Sequence, residues 1–191
     1  MNPFRRGRLL LLAACLAGSA PAAALELDAV LGLLAAVPAA KNSFTETKHS
    51  ALLSAPLVLK GTLAYERPDR LEKNVLSPYD ERTVIAAGAV TVENRTLKQT
   101  RTFSLGSSAA VAALVESMRA TLAGDRASLE RHYKLKLEGQ LDAWVLELAP
   151  RDRRVAGLVR QIQIAGARER IQRIEVEEAS GDRSIMLISP P

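Results

Sequence analysis

The side chains most able to do chemistry in this 191-residue chain are two histidines, one cysteine and a few serines and glutamates. His49 and His132 lie far apart and lack the paired spacing of a metal site, so both are read as solvated side chains. Ser104-Leu105-Gly106-Ser107-Ser108 does not match the G-x-S-x-G elbow that would raise a nucleophile above a sheet. Glu175, Glu177 and Glu178 have the spacing of a strand's outer face running into a turn, not of an acid/base pair. Asn94-Arg95-Thr96 matches a glycosylation sequon, which is accidental in a chain of bacterial character. These residues imply no catalysis, no metal and no cofactor.

Cys15, the single cysteine, belongs to a leader. Arg5, Arg6 and Arg8 form a basic start, Leu9 to Ala17 an apolar run, and Ala22-Ala23-Ala24 a small-residue cleavage site. A secretory signal peptide over residues 1–24, cut after Ala24, is expected. The apolar run is shorter than the ~20 residues of a membrane span. Leu12-Ala13-Ala14-Cys15 also resembles a lipobox, and the alternative is a chain lipidated on Cys15. A cut after Ala24 leaves a mature chain without cysteine, suited to an oxidising compartment. Three of the 26 basic residues fall in the leader, so against 21 acids the mature chain is close to charge balance. Its charges alternate rather than cluster with aromatics, and no nucleic-acid partner is expected.

The rest reads as one domain, residues 25–191. Leu27, Val30, Leu31, Leu34 and Val37 form one face of a helix over Leu25 to Ala40, stopped near Pro38. Strands are predicted over Ser43–Leu53, Leu57–Glu66, Leu71–Leu76, Arg82–Ala87, Val90–Glu93 and Leu97–Leu105. Within Leu57–Glu66, Leu57, Leu59, Leu63 and Tyr65 share a face. The period then changes. Val111, Leu114, Val115, Met118 and Leu122 line one face of a helix over Ser107 to Ala123, capped by Ser107 or Ser108 and ended by Gly124. A short helical piece over Arg126–His132 precedes more strands, among them Trp144–Leu148 with Trp144, Leu146 and Leu148 alternating. The expected architecture is mostly β with α: about ten antiparallel strands, a helix before the sheet and one inserted midway. Two helices do not cover so large a sheet, which curls into a barrel or sandwich. Periodicity is compatible with a filled core and with an apolar cavity of the kind that holds lipid.

Gly61-Thr62-Leu63-Ala64-Tyr65-Glu66-Arg67-Pro68-Asp69-Arg70-Leu71-Glu72, with Pro78 ten residues after Pro68, resembles a strand pair of the periplasmic outer-membrane lipoprotein carriers (LolA-like). A glycine hairpin at Gly88, the inserted helix and the strand Trp144 to Pro150 extend the resemblance over the mature chain; it rests on order and spacing rather than on any one motif. It implies an incomplete antiparallel β-barrel with a helical lid around a cavity for acyl chains. On this resemblance Arg67 is the latch that bonds to the lid. The cavity lining would be Leu57, Leu59, Leu63, Tyr65, Trp144 and Leu146 from the sheet, with Val111, Leu114, Val115, Met118 and Leu122 from the lid. Two departures mark a divergent branch: aromatic residues are only 4% of the chain, and no tryptophan follows Arg67-Pro68. Both leave the cargo open, whether a lipoprotein or another acylated molecule such as a glycolipid or polyene lipid.

The function expected from this resemblance is that of a monomeric, non-enzymatic periplasmic carrier. It would take acylated cargo from an inner-membrane donor complex to an outer-membrane acceptor. The alternatives are a Cys15-anchored receptor or assembly factor of the same fold and, from another class, a lipid-processing enzyme, against which the missing nucleophile–histidine pair argues.

Overall fold

The computed structural model describes residues 25–190. The predicted signal peptide, Cys15 and the cut at Ala24 lie outside the described residues.

Helix α1 (Leu27–Ala35) starts the chain with Asp28 in its first turn, where a carboxylate suits the helix dipole. It is shorter than the predicted Leu25–Ala40, because a residue before proline avoids helical geometry and the chain leaves the helix ahead of Pro38. Strand β1 (Ala39–His49) follows at once, four residues earlier than its pattern suggested. Its inward row is Ala40, Asn42, Phe44 and Glu46, with one large apolar side chain, so the period-two signal was weak. Then come β2 (Leu57–Glu66), β3 (Arg70–Ser77), β4 (Glu81–Ala86), β5 (Ala89–Asn94) and β6 (Gln99–Ser104).

A 3-10 turn (Leu105–Ser107) leads into α2 (Ala109–Ala123). Ser108 caps α2 by accepting from the Val111 N–H, and Gly124 ends it at φ 69°. Glycine is required at that position twice over. The left-handed backbone disfavours a side chain, and a Cβ there would lie 2.8 Å from the Leu31 carbonyl oxygen and from Ala35 Cβ of α1. After α3 (Arg126–His132) the chain forms β7 (Tyr133–Gln140), β8 (Ala143–Pro150), a short α4 (Arg153–Ala156), β9 (Val159–Ala167), β10 (Arg170–Glu178) and β11 (Arg183–Ser189).

All eleven strands join one antiparallel sheet in the order β6-β5-β4-β3-β2-β1-β11-β10-β9-β8-β7. This agrees with the expected antiparallel sheet of about ten strands. The first and last strands pair at the centre, Phe44 opposite Ile188 and Glu46 opposite Met186. The sheet is open, with β6 and β7 at its two edges. The segment joining these edges is the helical one, and α2 packs on α1, α3 and α4.

The core is unevenly filled. Val30, Leu31 and Leu34 of α1, with Leu129 of α3, pack on Trp144, Leu146, Leu148, Ile162 and Ile164 in the β7–β10 half. Trp144 is 1% exposed, and its indole N–H donates to the Arg168 carbonyl oxygen at 3.0 Å. Across β1–β3 the buried cluster is only Phe44, Leu59 and Val75. One half of the sheet therefore has a packed cover and the other does not.

Candidate functional site

Strands β1–β4 and β9–β11, with α2 and the end of α1, line a cavity of about 660 Å³. This lies within the ~300–1,000 Å³ usual for small-molecule sites. Leu114, Met118 and Leu122 recur along α2 at intervals of four residues and border the cavity, none of them fully buried. Leu34 and Val37 from the end of α1 close one side. The sheet contributes Leu63, Tyr65, Leu71 and Ile85 from β2–β4, and Ile164, Ile174, Met186 and Ile188 from β9–β11. A second hollow of about 510 Å³ lies along α2, and Val115 and Ile85 border both spaces.

Six of the predicted lining residues meet at the cavity: Leu63, Tyr65, Leu114, Val115, Met118 and Leu122. Five do not. Trp144 and Leu146 face the same side of the sheet but are covered by α1 and belong to the filled core. Leu59 is buried against Phe44 and Val75, with Leu57 packed beside it. Val111 sits in the first turn of α2, beyond the lining. Alternation assigned these residues to the correct face but carries no information on which stretch of that face is covered.

Arg67 occupies the β2–β3 turn and is exposed. Its backbone N–H donates to the Pro38 carbonyl oxygen at 3.0 Å, and among the described residues its guanidinium makes no hydrogen bond or ion pair. The turn is nevertheless tied to the start of the helical segment. Asp69 accepts from the Ala87 N–H at 3.0 Å, and the Gly88 carbonyl oxygen accepts from the Leu105 N–H at 3.0 Å. The bond that holds α2 from the sheet comes from Tyr133, whose hydroxyl donates to the Ala113 carbonyl oxygen at 2.5 Å. Burial pushes the Tyr133 phenol up to about 12, so it remains a donor throughout the neutral range.

The cavity wall also carries charge that sequence reasoning missed. Glu46, 5% exposed, accepts from Lys73 of β3 and, at 2.6 Å, from the Ser184 hydroxyl of β11. All three border the cavity. Burial alone would raise the Glu46 carboxyl, but Lys73, Ser184 and Lys48 outweigh it and hold the group below its ordinary value. The Lys73 ammonium lies 5.1 Å from the centre of the Phe44 ring, a cation–π distance. The detectable signal was Glu46 at two residues from Phe44, hence on its face. One position along β3, Glu72 points to the other face and accepts from Arg82, Asn74 and Arg70. Chiefly the Arg82 hydrogen bonds pull its carboxyl down to about 2. This cluster braces the β3–β4 wall from outside.

Among the described residues no group of three or more His, Cys, Asp or Glu is placed to hold a metal ion. No described helix is long and apolar enough to cross a membrane. The arrangement is suited to holding an elongated apolar group beneath a helix, with a polar band on the sheet side.

The sequence matches the family model described as outer membrane lipoprotein carrier protein LolA-like over residues 19–190. It is 30% identical over 184 residues to an outer-membrane lipoprotein carrier protein of Methylibium petroleiphilum, covering 95% of this chain and 85% of that protein. Among solved structures, it is similar to a LolA superfamily protein of Nitrosomonas europaea at 14% identity and a TM-score of 0.45, covering 87% of this chain and 92% of that one. A putative outer membrane lipoprotein-sorting protein domain of Vibrio parahaemolyticus aligns at 10% identity and a TM-score of 0.43, covering 86% of this chain and 92% of that one.

Proposed function

This chain belongs to the LolA-like outer membrane lipoprotein carrier family, and from that premise we propose that its residues 25–191 form a periplasmic carrier for the acyl chains of a lipoprotein or a related lipid. Proteins of this family are carriers and binding proteins, not enzymes. The observation that carries the reading is the unfilled space beneath α2, which Leu114, Met118 and Leu122 border, Leu114 and Met118 at the edge of the packed core. Each methylene placed there is worth ~0.8 kcal/mol of burial. So apolar a cargo leaves slowly into water. Release therefore needs a second protein, with loading at the inner membrane and delivery towards the outer membrane. The signal peptide over residues 1–24 supplies the export that this route requires.

The test is native mass spectrometry of the protein purified from periplasm, where lipid or lipoprotein adducts are expected. Protein that emerges unliganded, and also binds no fluorescent fatty acid, removes the carrier reading.

Arg67 is the latch of this proposal. Its turn is joined through Asp69 to Ala87 and through Gly88 to Leu105, next to the entry of α2. Its guanidinium bonds nothing among the described residues, and its planar fork suits holding more than one carbonyl oxygen of a closing lid. The Arg67→Leu variant should keep the wild-type fold and release a bound fluorescent fatty acid about tenfold faster, the scale of one charge-assisted hydrogen bond. Unchanged affinity, release rate and hand-over in stopped-flow and transfer assays would remove the latch and leave the carrier standing.

A further inference from the structure

The polar band on one wall of a mostly apolar cavity calls for an explanation, because Glu46 is buried and a buried charge is costly unless its acceptors are satisfied. Glu46 is satisfied. Its carboxylate accepts from Lys73 and Ser184, with Lys48 3.8 Å away. Lys73 is not. Of its three N–H donors one serves Glu46, and the other near group is the Phe44 ring, which supplies no acceptor atom. A second, independent group points the same way. Tyr65 is 6% exposed and borders the cavity, and its hydroxyl is buried without a hydrogen-bond partner. A buried unpaired hydroxyl is costly, and buried polar atoms in folded proteins normally find partners.

Register places these groups along one wall. Tyr65 lies opposite Leu71 on β3, two residues before Lys73 and on the same face, and Lys73 lies opposite Leu63. The buried Tyr65 hydroxyl and the part-exposed Lys73 ammonium both have hydrogen to donate into the cavity, and the acceptor carboxylate beside them is already occupied. A ligand completing this wall must bring acceptor oxygen, and apolar surface for everything else.

We propose that Lys73, positioned by Glu46 and Ser184, together with the Tyr65 hydroxyl, binds the acyl carbonyl or carboxylate group of the cargo inside the cavity, so that the polar end of the chain is enclosed with it. This rests on the carrier reading and deepens it. The cavity recognises an oxygen-bearing head as well as a length of hydrocarbon. A free fatty acid and an ester- or amide-linked acyl chain share that chemistry. A cationic head does not, because it meets the Lys73 ammonium.

The test compares three ligands with one chain and different heads: dodecanoate, methyl dodecanoate and dodecyltrimethylammonium. Each displaces the neutral dye N-phenylnaphthylamine from the purified protein, below its micelle concentration. Wild type should bind at least one of the oxygen-headed ligands about ten- to hundredfold more tightly than the cationic one, the scale of a hydrogen bond to a charged group. Dodecanoate ahead of the ester identifies a free carboxylate as the source; parity identifies the carbonyl of a linked chain. The paired variant Glu46→Gln/Lys73→Met leaves no lone buried charge and should lose this preference while dye binding stays measurable. Tyr65→Phe, a near-isosteric change, should weaken the favoured ligand several-fold, and it decides the matter alone if the paired variant does not fold. Equal affinity for the three heads in wild type, or a preference that survives both variants, overturns the proposal. Failure of the dye and of all three ligands to bind would instead remove the carrier reading.

Discussion

Met118→Glu is expected to raise the dissociation constant for a fluorescent fatty acid about a hundredfold while the protein stays folded, with wild-type circular dichroism and a modestly lowered melting temperature. Met118 stands in the middle of the Leu114–Met118–Leu122 row; half-buried, it touches the core on one side and borders the unfilled space on the other. A carboxylate there keeps its hydration, because stripping water from an ionised group in apolar surroundings is costly. An acyl chain lying against α2 would then leave three or four methylenes in contact with water, a loss of ~3 kcal/mol at ~0.8 kcal/mol each, which is about a hundredfold in affinity. The same substitution on a filled core would unfold the protein, so the combination of lost binding and retained fold is diagnostic. Wild-type affinity in a folded Met118→Glu protein would show that the chain does not pass beneath α2.

Trp144→Ala should do the converse. Trp144 anchors the filled half of the sheet, 1% exposed, with its N–H bonded to the Arg168 carbonyl oxygen. Its ring occupies the space where Gly166 has no side chain; a Cβ at Gly166 would lie 2.5 Å from the indole Cζ2. Removing the ring leaves a cavity between β8, β9 and α1 that the strand ladders do not allow to collapse. The expected loss is ~3–5 kcal/mol, or about 10 °C in melting temperature for a domain of this size. Differential scanning calorimetry measures it. A fall of less than about 3 °C would mean that the indole contributes no more to stability than a surface side chain. Acyl binding, measured where the variant remains folded, should change far less than in Met118→Glu, because Trp144 does not border the cavity.

The contrast between these residues marks how much was legible in the sequence. Both were assigned to the lining, since both alternate inward on strongly periodic elements. Period two or 3.6 identifies which face is inward and nothing more. Whether that face meets another side chain or open space depends on which helix residues lie over it, and α1 and α2 fill the space over β7–β10 but not all of that over β1–β4. Element types were legible nearly throughout, because apolar periodicity and turn residues are local signals. Boundaries failed where the local signal was diluted: Pro38 shortened α1, and the acidic Glu46 on an inward position hid the true span of β1.

The amino-acid sequence by itself determined the antiparallel, mostly β character, the inserted amphipathic helix, the apolar faces and the family, since these follow from the order and spacing of residue types. Only the tertiary structure decided that β1 and β11 pair at the centre of an open sheet, that the core leaves about 660 Å³ unfilled beneath α2, and that Glu46 of β1 meets Lys73 of β3 and Ser184 of β11. Glu46 and Lys73 are 27 residues apart and Glu46 and Ser184 are 138 apart. No local pattern encodes such meetings. They arise from strand register, and register is set by the packing of the whole sheet.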